Sequence, residues 1–532
     1  MSKTPLMRQL KSAAKIAGEA SIRNVPVEQV IEERVQHSFT RREFLKKAFL
    51  ASAVMMVPPV VLNVGTKIVN AATAPRVAII GAGLAGLTAA YRLKQAGVNS
   101  QVYEASSRIG GRCFTGRDVF KDGQIYEHGG ELINTDHTYL INLIKELNLQ
   151  IDDLWAYEKG DFRIVMDGSL CDFEEMSKMF LDVWNPLQKD RKDAGHVTLY
   201  NKYTTRGKQL DNMSIVDWLN KNVRGGMNSK FSKIVDIAYT ANVGLESTEI
   251  SALNMIYAMS TSTKEEFSPF GTGGEERFHV RGGNDLVPQQ LASKLNGQIT
   301  LSSPLESIRK NNDGTYSLHF AGRISSVQAD YVILALPVAT LRDVEIDRAG
   351  FRSIKKTAIA ELGVATNSKL ALQFTDRHWE SLGSNGAFVS NAYHDTWDTT
   401  RGQLGQSGIM VDFTGGKLGN RFGSRSANAY AQDFLNLFEK DLSGISKKWN
   451  GKATLDNWPD FKWTKGSYSC YKVGQYTKFR GLFGEPEGNC FFAGEHTSLE
   501  YQQFLNGAVE TGNIAAKQVL SRLKVKSSVI QS

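Results

Sequence analysis

The sequence predicts an α/β protein in which a dinucleotide-binding domain is interleaved with a second, α+β domain. Three observations indicate this fold. A glycine-rich turn follows the short apolar run at residues 76–80, further strand patterns occur at residues 299–336, and another strand and helix come only after residue 490. The chain has 532 residues, 41% of them hydrophobic, which is enough for two or three domains with a sizeable core.

The glycine-rich turn has the spacing of a Rossmann-like βαβ unit. The first glycine permits a tight turn, the second lets a pyrophosphate approach the backbone, and the third allows helix and strand to pack closely. A helical pattern continues to Leu93, and a second strand at residues 101–103 ends in Glu104, which is placed to accept hydrogen bonds from ribose hydroxyls. The turn reads Gly81-Ala82-Gly83-Leu84-Ala85-Gly86.

Two further motifs favour FAD over NAD. They read Arg108-Ile109-Gly110-Gly111-Arg112 and His128-Gly129-Gly130-Glu131. With these motifs the chain resembles the flavin-containing amine oxidase family, which includes monoamine, polyamine and L-amino acid oxidases. The resemblance covers about residues 76–522. It implies an interleaved, Rossmann-like FAD-binding domain of the GR2 type and an α+β substrate-binding domain.

The resemblance also implies the FAD contacts. In the family, the arginine matching Arg112 lies near the pyrophosphate, and the residue matching Leu305 meets the adenine through its backbone. The strand, loop and helix at residues 490–519 complete the flavin site, where the helix N-terminus stabilises negative charge on the flavin. The predicted FAD-binding residues are Gly81, Ala82, Gly83, Leu84, Ala85, Gly86, Glu104, Ala105, Gly111, Arg112, Gly129, Gly130, Glu131, Leu132, Leu305, Gly494, Glu495 and Leu505.

Three residues are predicted to carry the chemistry. Lys369 lies in an alternating strand, where a lysine usually faces solvent, but it matches the family lysine that holds a water against flavin N5 and would assist the reaction with oxygen. Tyr468 and Phe504 match two aromatic residues that flank the substrate amine, although both also suit an ordinary core. Phe504 replaces the usual tyrosine, and Tyr501 is a nearby alternative for a polar group.

The FAD is predicted to be bound non-covalently. In mitochondrial monoamine oxidases a cysteine joins the flavin covalently, and Ser467 occupies the matching position here. Cys470 lies three residues further along the chain and would point elsewhere.

The resemblance implies an amine oxidase that transfers hydride from the amine α-carbon to flavin N5, with O₂ reduced to H₂O₂. The substrate would be a primary or secondary amine, with polyamines among the candidates, because Glu131 and Asp136 suit a cationic amine better than a carboxylate. The alternative for Glu131 is burial against a backbone donor or the flavin. Three alternatives stay open. They are an L-amino acid oxidase, a flavin desaturase or dehydrogenase that releases no peroxide, and a non-catalytic binding protein on the same fold.

Composition argues against nucleic acid and metal as partners. Most of the formal charge of +8 lies in residues 1–75, and the remainder is nearly balanced, which does not suit a phosphate-binding surface. The four cysteines and nine histidines form no metal-ligand motif, although a disulfide is compatible with export.

The N-terminal residues resemble a twin-arginine signal peptide. Arg41-Arg42 precede an apolar run at residues 48–62 and a small-residue stretch at residues 70–74, with cleavage expected after Ala71 or Ala72. The apolar run is too short for a permanent membrane anchor. We therefore expect the twin-arginine translocase as an export partner and a periplasmic or secreted protein. The alternative is an amphipathic helix with a chance Arg-Arg pair, and residues 1–38 have no sequence-based explanation.

These signals divide the chain into alternating segments. The predicted segments are 1–75 for the signal peptide and leader, 76–150, 276–345 and 466–525 for the FAD-binding domain, and 151–275 and 346–465 for the substrate domain.

Overall fold

The structure is a computed structural model that describes residues 4–34, 75–195, 197–259 and 276–525. The twin-arginine pair, the apolar run at residues 48–62 and both expected cleavage positions lie outside the described residues, so the export signal stays a prediction. Within the described ranges, every helix is too short or too polar to cross a membrane. The α/β fold class is confirmed.

A five-stranded parallel sheet carries the glycine-rich turn at the end of its central strand. That strand, Val77–Ile80, aligns Ile79 with Val102 on one side and with Ile333 on the other. All four of its residues are buried, as expected for an apolar run in a sheet covered on both faces. The strand order is Cys490–Phe492, Tyr331–Leu334, Val77–Ile80, Ser100–Tyr103 and Ile299–Thr300.

Helices Leu84–Gln95 and Leu505–Arg522 pack closely beside this sheet. Gly512 makes the contact possible, because a Cβ at this position would overlap the carbonyl oxygen of Ala85. Apolar side chains of the sheet and both helices form one core cluster. Two more helices, Thr138–Glu146 and Leu286–Lys294, complete this part of the molecule.

A three-stranded antiparallel sheet is formed by the part of the chain between the parallel strands Ile299–Thr300 and Tyr331–Leu334. Its strands are Leu305–Lys310, Tyr316–Phe320 and Ser326–Ala329. The middle strand buries Tyr316, Leu318 and Phe320 and leaves the residues between them more exposed, which is the pattern its alternating sequence predicts.

A seven-stranded, mostly antiparallel sheet forms the second domain. All of its strands fall in the two segments predicted for the substrate domain. The central strands are completely buried, and they align Lys369 with Phe413 and Asp456. The strand order is Trp449–Asn457, Ser368–Phe374, Gly408–Thr414, His394–Asp398, Ser384–Ser390, Asp161–Met166 and Ser169–Cys171.

The described residues also form further helices, short strand pairs and 3-10 turns. The further helices are Phe173–Ala194, Thr205–Asp211, Ile215–Asn222, Lys230–Val243, Ala252–Met259, Val338–Leu341, Ser353–Glu361, His378–Ser381, Gly416–Gly419, Ala427–Phe438 and Tyr476–Phe479. The short strand pairs are Thr115–Gly116 with Tyr126–Glu127, Ile151–Asp153 with Phe278–Val280, and Gly363–Val364 with Ser469–Cys470. The 3-10 turns are Lys121–Gly123, Leu154–Tyr157, Gly226–Asn228, Ile445–Lys448, Trp458–Asp460 and Glu495–Thr497.

The N-terminal residues form helices that pack into the second domain. Helix Pro5–Arg23 begins after Thr4, whose side chain accepts a hydrogen bond from the Met7 amide, and ends at Asn24 in the left-handed conformation. A second helical stretch covers residues 27–34. Residues 4–34, which had no sequence-based explanation, are therefore part of the folded body.

Candidate active site

One cavity brings together all but two of the predicted site residues. It contains about 1870 Å³ of space between protein atoms, part of it open to solvent. The glycine-rich turn lines one region, and Lys369, Tyr468 and Phe504 line another. Segments from all three predicted parts of the FAD-binding domain and from the seven-stranded sheet therefore meet at one site.

Ala82 and Gly86 are the two exceptions, because neither lines the cavity. The Ala82 amide donates to the Glu104 carboxylate at 2.7 Å, so it positions that carboxylate. Gly86 packs against the turn itself, where a Cβ would overlap the carbonyl oxygen of Gly81. Both residues support the shape of the turn. Gly81 has φ +106°, which a residue with a side chain rarely adopts.

The open space beside Gly83 fits the pyrophosphate of a dinucleotide. Gly83 is the N-cap of helix Leu84–Gln95 and contributes no side-chain hydrogen bond to the helix N-terminus. A Cβ on Gly83 would meet no protein atom within 4 Å, although the residue lines the cavity. A helix N-terminus with space in front of it is a favourable site for phosphate.

Glu104 lies in the same region with its carboxylate oriented by the backbone. One oxygen accepts from the Ala82 amide and the other from the Ser106 amide at 2.8 Å. Burial raises the pKa of Glu104, and the two amide bonds oppose that shift. Each carboxylate oxygen accepts more than one hydrogen bond, so the pair of oxygens retains capacity for ribose hydroxyls. The residues present therefore fit the adenosine and pyrophosphate parts of FAD.

Arg112 and Glu495 form a partly buried ion pair across the cavity wall. Arg112 Nη1 donates to Glu495 Oε1 at 3.0 Å and to the Ser467 carbonyl oxygen at 2.9 Å. The Glu495 carboxylate also accepts hydrogen bonds from Ser469 and from the Gln503 amide. Burial would raise the pKa of Glu495, but Arg112 and Ser469 outweigh it and hold the pKa below its ordinary value. Glu495 therefore links three segments of the cavity wall, and both of its carboxylate oxygens already accept two hydrogen bonds.

Lys369 forms a buried ion pair with Glu131. Lys369 Nζ donates to Glu131 Oε2 at 2.8 Å and to the Glu127 carbonyl oxygen at 2.6 Å. The other oxygen of Glu131 accepts from Trp397 Nε1 at 2.9 Å and from Thr399 Oγ1 at 2.8 Å. The side chains of Lys369 and Glu131 are only 4% and 7% exposed. Lys369 is thus held inside the cavity wall, in agreement with the family match and against the solvent-facing alternative.

This pair changes the interpretation of Glu131. Burial would raise the pKa of Glu131, but the Lys369 charge and the hydrogen bonds from Lys369, Thr399 and Trp397 outweigh it and lower the pKa. The carboxylate is therefore ionised and already neutralised by Lys369. Of the two alternatives for Glu131, the structure supports the buried one, so this carboxylate offers no free negative charge to a cationic amine.

Tyr468 and Phe504 contribute aromatic surface to the cavity. The Tyr468 hydroxyl donates to the Asn242 carbonyl oxygen at 2.8 Å, and burial raises its pKa well above the ordinary value. Phe504 lies at the N-terminus of helix Leu505–Arg522, and its ring contacts His137 edge-on. Tyr501 does not line the cavity, because its hydroxyl donates to the Asp136 carbonyl oxygen. Tyr501 therefore does not replace the polar group missing at Phe504.

Ser467 lines the cavity and is engaged by polar partners. Its hydroxyl donates to Asn367 Oδ1 at 2.8 Å, and its carbonyl oxygen accepts from Arg112. Cys113 is the cysteine that lines the cavity, and burial raises the pKa of its thiol well above the ordinary value, which suppresses the reactive thiolate. Cys470 is buried outside the cavity lining.

Acid denaturation is therefore expected to release the flavin. After precipitation with trichloroacetic acid, the yellow colour should remain in the supernatant at one FAD per chain, measured by absorbance and mass spectrometry. A yellow pellet, or a peptide carrying the mass of a flavin, would contradict this prediction.

Several lining residues were missed by sequence reasoning. Trp458 donates its Nε1 proton to the His128 carbonyl oxygen, and Trp397 binds Glu131, so both tryptophans stabilise wall segments. Three aromatic residues within residues 458–463, just before Ser467, were a signal that could have been used. The missed aromatic residues are Trp397, Phe413, Trp458, Phe461 and Trp463.

Comparison with known proteins identifies the family of the chain. The profile of the family described as flavin containing amine oxidoreductase matches residues 84–520. The chain is 22% identical over 467 residues to an L-amino acid dehydrogenase of Synechocystis, covering 84% of this chain and 94% of that protein. It is 23% identical over 468 residues to the flavin-containing amine oxidase B of Cavia porcellus, covering 84% of this chain and 86% of that protein.

Solved structures show the same fold. A putrescine oxidase with bound putrescine superimposes with a TM-score of 0.72 at 22% identity, covering 84% of this chain and 99% of that one. A cyclohexylamine oxidase from Brevibacterium oxydans superimposes with a TM-score of 0.73 at 21% identity, covering 85% of this chain and 99% of that one.

Proposed function

This chain belongs to the flavin-containing amine oxidoreductase family, and from that premise we propose that it oxidises a primary or secondary amine to an imine, with O₂ reduced to H₂O₂. Its cofactor is FAD, and it is an oxidoreductase that acts on amines. The proposal concerns the substrate and the electron acceptor. One observation supports it: the cavity region around Lys369 is lined by aromatic side chains, and the charge of Lys369 is compensated by Glu131.

The protein residues hold and orient the reactants. Bound FAD supplies the hydride acceptor and the means of passing two electrons to oxygen. Tyr468 and Phe504 provide apolar walls that exclude water and orient a neutral amine. The Lys369–Glu131 pair as a whole is neutral, but the Lys369 ammonium, at 5.7 Å from the Trp397 ring, would still stabilise negative charge that develops in direct contact with it. Water then hydrolyses the imine to a carbonyl compound and ammonia or a smaller amine.

The charges in the cavity favour an amine over an amino acid. Among the described residues, the cations lining the cavity are Arg108, Arg112 and Lys369. Arg112 is bound to Glu495, and Arg108 lies over the Phe114 ring, both next to the predicted dinucleotide region. Lys369 is neutralised by Glu131. A substrate carboxylate beside Lys369 would thus meet a cation that is already paired, because Arg108 lies at the predicted dinucleotide region, and burying an uncompensated charge is costly.

Matched substrates that differ only in a carboxylate test the proposal. We expect 1,4-diaminobutane, 1,5-diaminopentane and phenethylamine to reduce the enzyme-bound flavin at least about tenfold faster than L-ornithine, L-lysine and L-phenylalanine, a difference of about 1.4 kcal/mol. Anaerobic stopped-flow absorbance measures this reduction directly. Faster reduction by the amino acid of each pair would overturn the amine assignment.

An L-amino acid dehydrogenase is the second candidate, because two relatives are named as acting on L-amino acids, one of them a dehydrogenase. Oxygen consumption and peroxide release with the preferred substrate distinguish an oxidase from a dehydrogenase. Equal amounts of oxygen consumed and peroxide formed support the oxidase. Flavin reduction by substrate without oxygen consumption, but with turnover on an artificial quinone, would assign the dehydrogenase.

We also propose export by the twin-arginine route, based on the sequence at residues 40–74. Replacing Arg41-Arg42 with Lys-Lys should leave the protein in the cytoplasm, measured by fractionation and immunoblotting. The matched control replaces Lys46-Lys47 with Arg-Arg, which preserves the twin arginines and should preserve export. Undiminished export of the Lys-Lys variant would exclude this route.

A further inference from the structure

The N-terminal helix Pro5–Arg23 is largely buried against the rest of the protein, which is not expected of a leader that is removed. One of its faces is enclosed by the second domain and belongs to the same apolar core as Phe180, Val183 and Trp218. The backbone of Gly18 is in close contact with the Trp184 indole, and a Cβ at this position would overlap the ring. The buried residues of this helix are Pro5, Leu6, Met7, Leu10, Lys11, Ala13, Ala14, Ile16, Ala17, Gly18 and Ala20.

Polar contacts attach the beginning of this helix to the body. Arg8 Nη2 donates to Glu158 Oε1 at 2.8 Å, and both side chains are mostly shielded from solvent. The same Glu158 oxygen accepts from Asn385 Nδ2 at 2.8 Å, so the ion pair is integrated into the seven-stranded sheet. The Leu6 amide donates to the buried carboxyl group of Asp395. Breaking a shielded ion pair leaves an uncompensated charge, so these contacts favour retention of the helix.

The attachment reaches the wall of the active-site cavity. Asp395 lies two residues before Trp397 on the same strand, and side chains two apart in a strand share a face. Trp397 donates to Glu131, the partner of Lys369. The N-terminal helix therefore packs against the strand that supports the Lys369 ion pair.

The second helical stretch extends the same contact surface. Val27 and Val30 are buried together with Ile16 and Ala20 and pack against Phe173. Ion pairs join Lys178 to Glu28, and join Glu19 to Arg23 and Arg34. Residues 4–34 thus form a continuous docked segment whose partner is the groove around helix Phe173–Ala194.

We propose that residues 4–34 are a permanent part of the mature protein, bound by this groove strongly enough to remain after the chain is cut anywhere in residues 35–74. Removal of an N-terminal leader at the expected positions would then yield a two-chain protein. The surface that the segment covers is apolar and continuous with the domain core, so its loss would expose core side chains to water. This inference depends on the docking contacts and not on the substrate proposed above.

The experiment uses the full-length, FAD-loaded protein with a specific protease site inserted after Gly65. After complete cleavage, gel filtration under native conditions is followed by denaturing mass spectrometry of the protein peak. We expect the N-terminal fragment and the body to elute together at a ratio of one to one. Elution of the fragment separately from the body would overturn the proposal.

Two variants distinguish specific docking from adhesion through the apolar run at residues 48–62. Gly18→Leu places a side chain against Trp184, whereas Ser21→Leu adds the same side chain at an exposed position of the same helix. We expect the cut Gly18→Leu protein to lose at least about tenfold more fragment than the cut Ser21→Leu protein. Equal retention by the two variants would overturn the proposal. The visible flavin spectrum of each uncut variant confirms that it is folded.

Discussion

Gly83→Val should give a folded protein that no longer holds FAD. The added side chain meets no protein atom within 4 Å of its Cβ, so the fold tolerates it, but it occupies the space in front of the helix N-terminus where the pyrophosphate would lie. We expect FAD affinity to fall at least about 100-fold, which corresponds to roughly 2.8 kcal/mol. Fluorescence titration of the apoprotein with FAD measures the affinity, and circular dichroism confirms the fold.

Two matched variants complete this test. Gly423→Val adds the same side chain at an exposed glycine outside the cavity, where its Cβ would lie 3.7 Å from the Tyr430 hydroxyl, and it should retain FAD. Gly86→Val forces a Cβ onto the Gly81 carbonyl oxygen and should disturb the turn itself. Normal FAD binding by Gly83→Val would show that the pyrophosphate does not lie at this helix.

Lys369→Met should slow the reaction of the reduced enzyme with oxygen and also destabilise the protein. The substitution removes a fixed positive charge from the cavity wall, and we expect reoxidation to slow by at least about tenfold. It also leaves the Glu131 carboxylate buried without its partner, which typically costs about 3–5 kcal/mol. Stopped-flow absorbance of the flavin and chemical denaturation measure the two effects.

The two effects are separable. The double variant Lys369→Met with Glu131→Gln removes both charges, so we expect most of the stability to return while reoxidation stays slow. Lys355→Met is the matched control, because Lys355 is also buried, with a pKa lowered by burial to about 8, but does not line the cavity. It should reduce stability and leave the oxygen reaction unchanged. Unchanged oxygen kinetics in Lys369→Met would remove the role assigned to this lysine.

The sequence was informative wherever local chemistry determines structure. The turn from Gly81 to Gly86 requires a strand before it and a helix after it, and both are present. The strand at Tyr316–Phe320 follows from its alternating pattern. The family resemblance brought distant residues such as Lys369 and Glu104 to one cavity, which periodicity alone cannot do.

The features that could not be predicted depend on tertiary contacts. Lys369 and Glu131 are 238 residues apart in the chain, and nothing in either local sequence indicates that the two charges neutralise each other. The helix Pro5–Arg23 has an ordinary amphipathic pattern, and only the groove that encloses it distinguishes a docked segment from a leader. Trp397 belongs to a strand buried throughout, so alternation gave no indication that its indole supports Glu131.

The strand order of the five-stranded sheet has a consequence for biogenesis. Strand Tyr331–Leu334 lies between Val77–Ile80 and Cys490–Phe492, so the sheet can be completed only after residue 492 has left the ribosome. Pairing partners so distant in sequence also make folding slow. A nascent chain that ends before Cys490 lacks both this edge strand and the residues within 494–508 that line the cavity, so we expect FAD to be taken up only after that stretch has been synthesised.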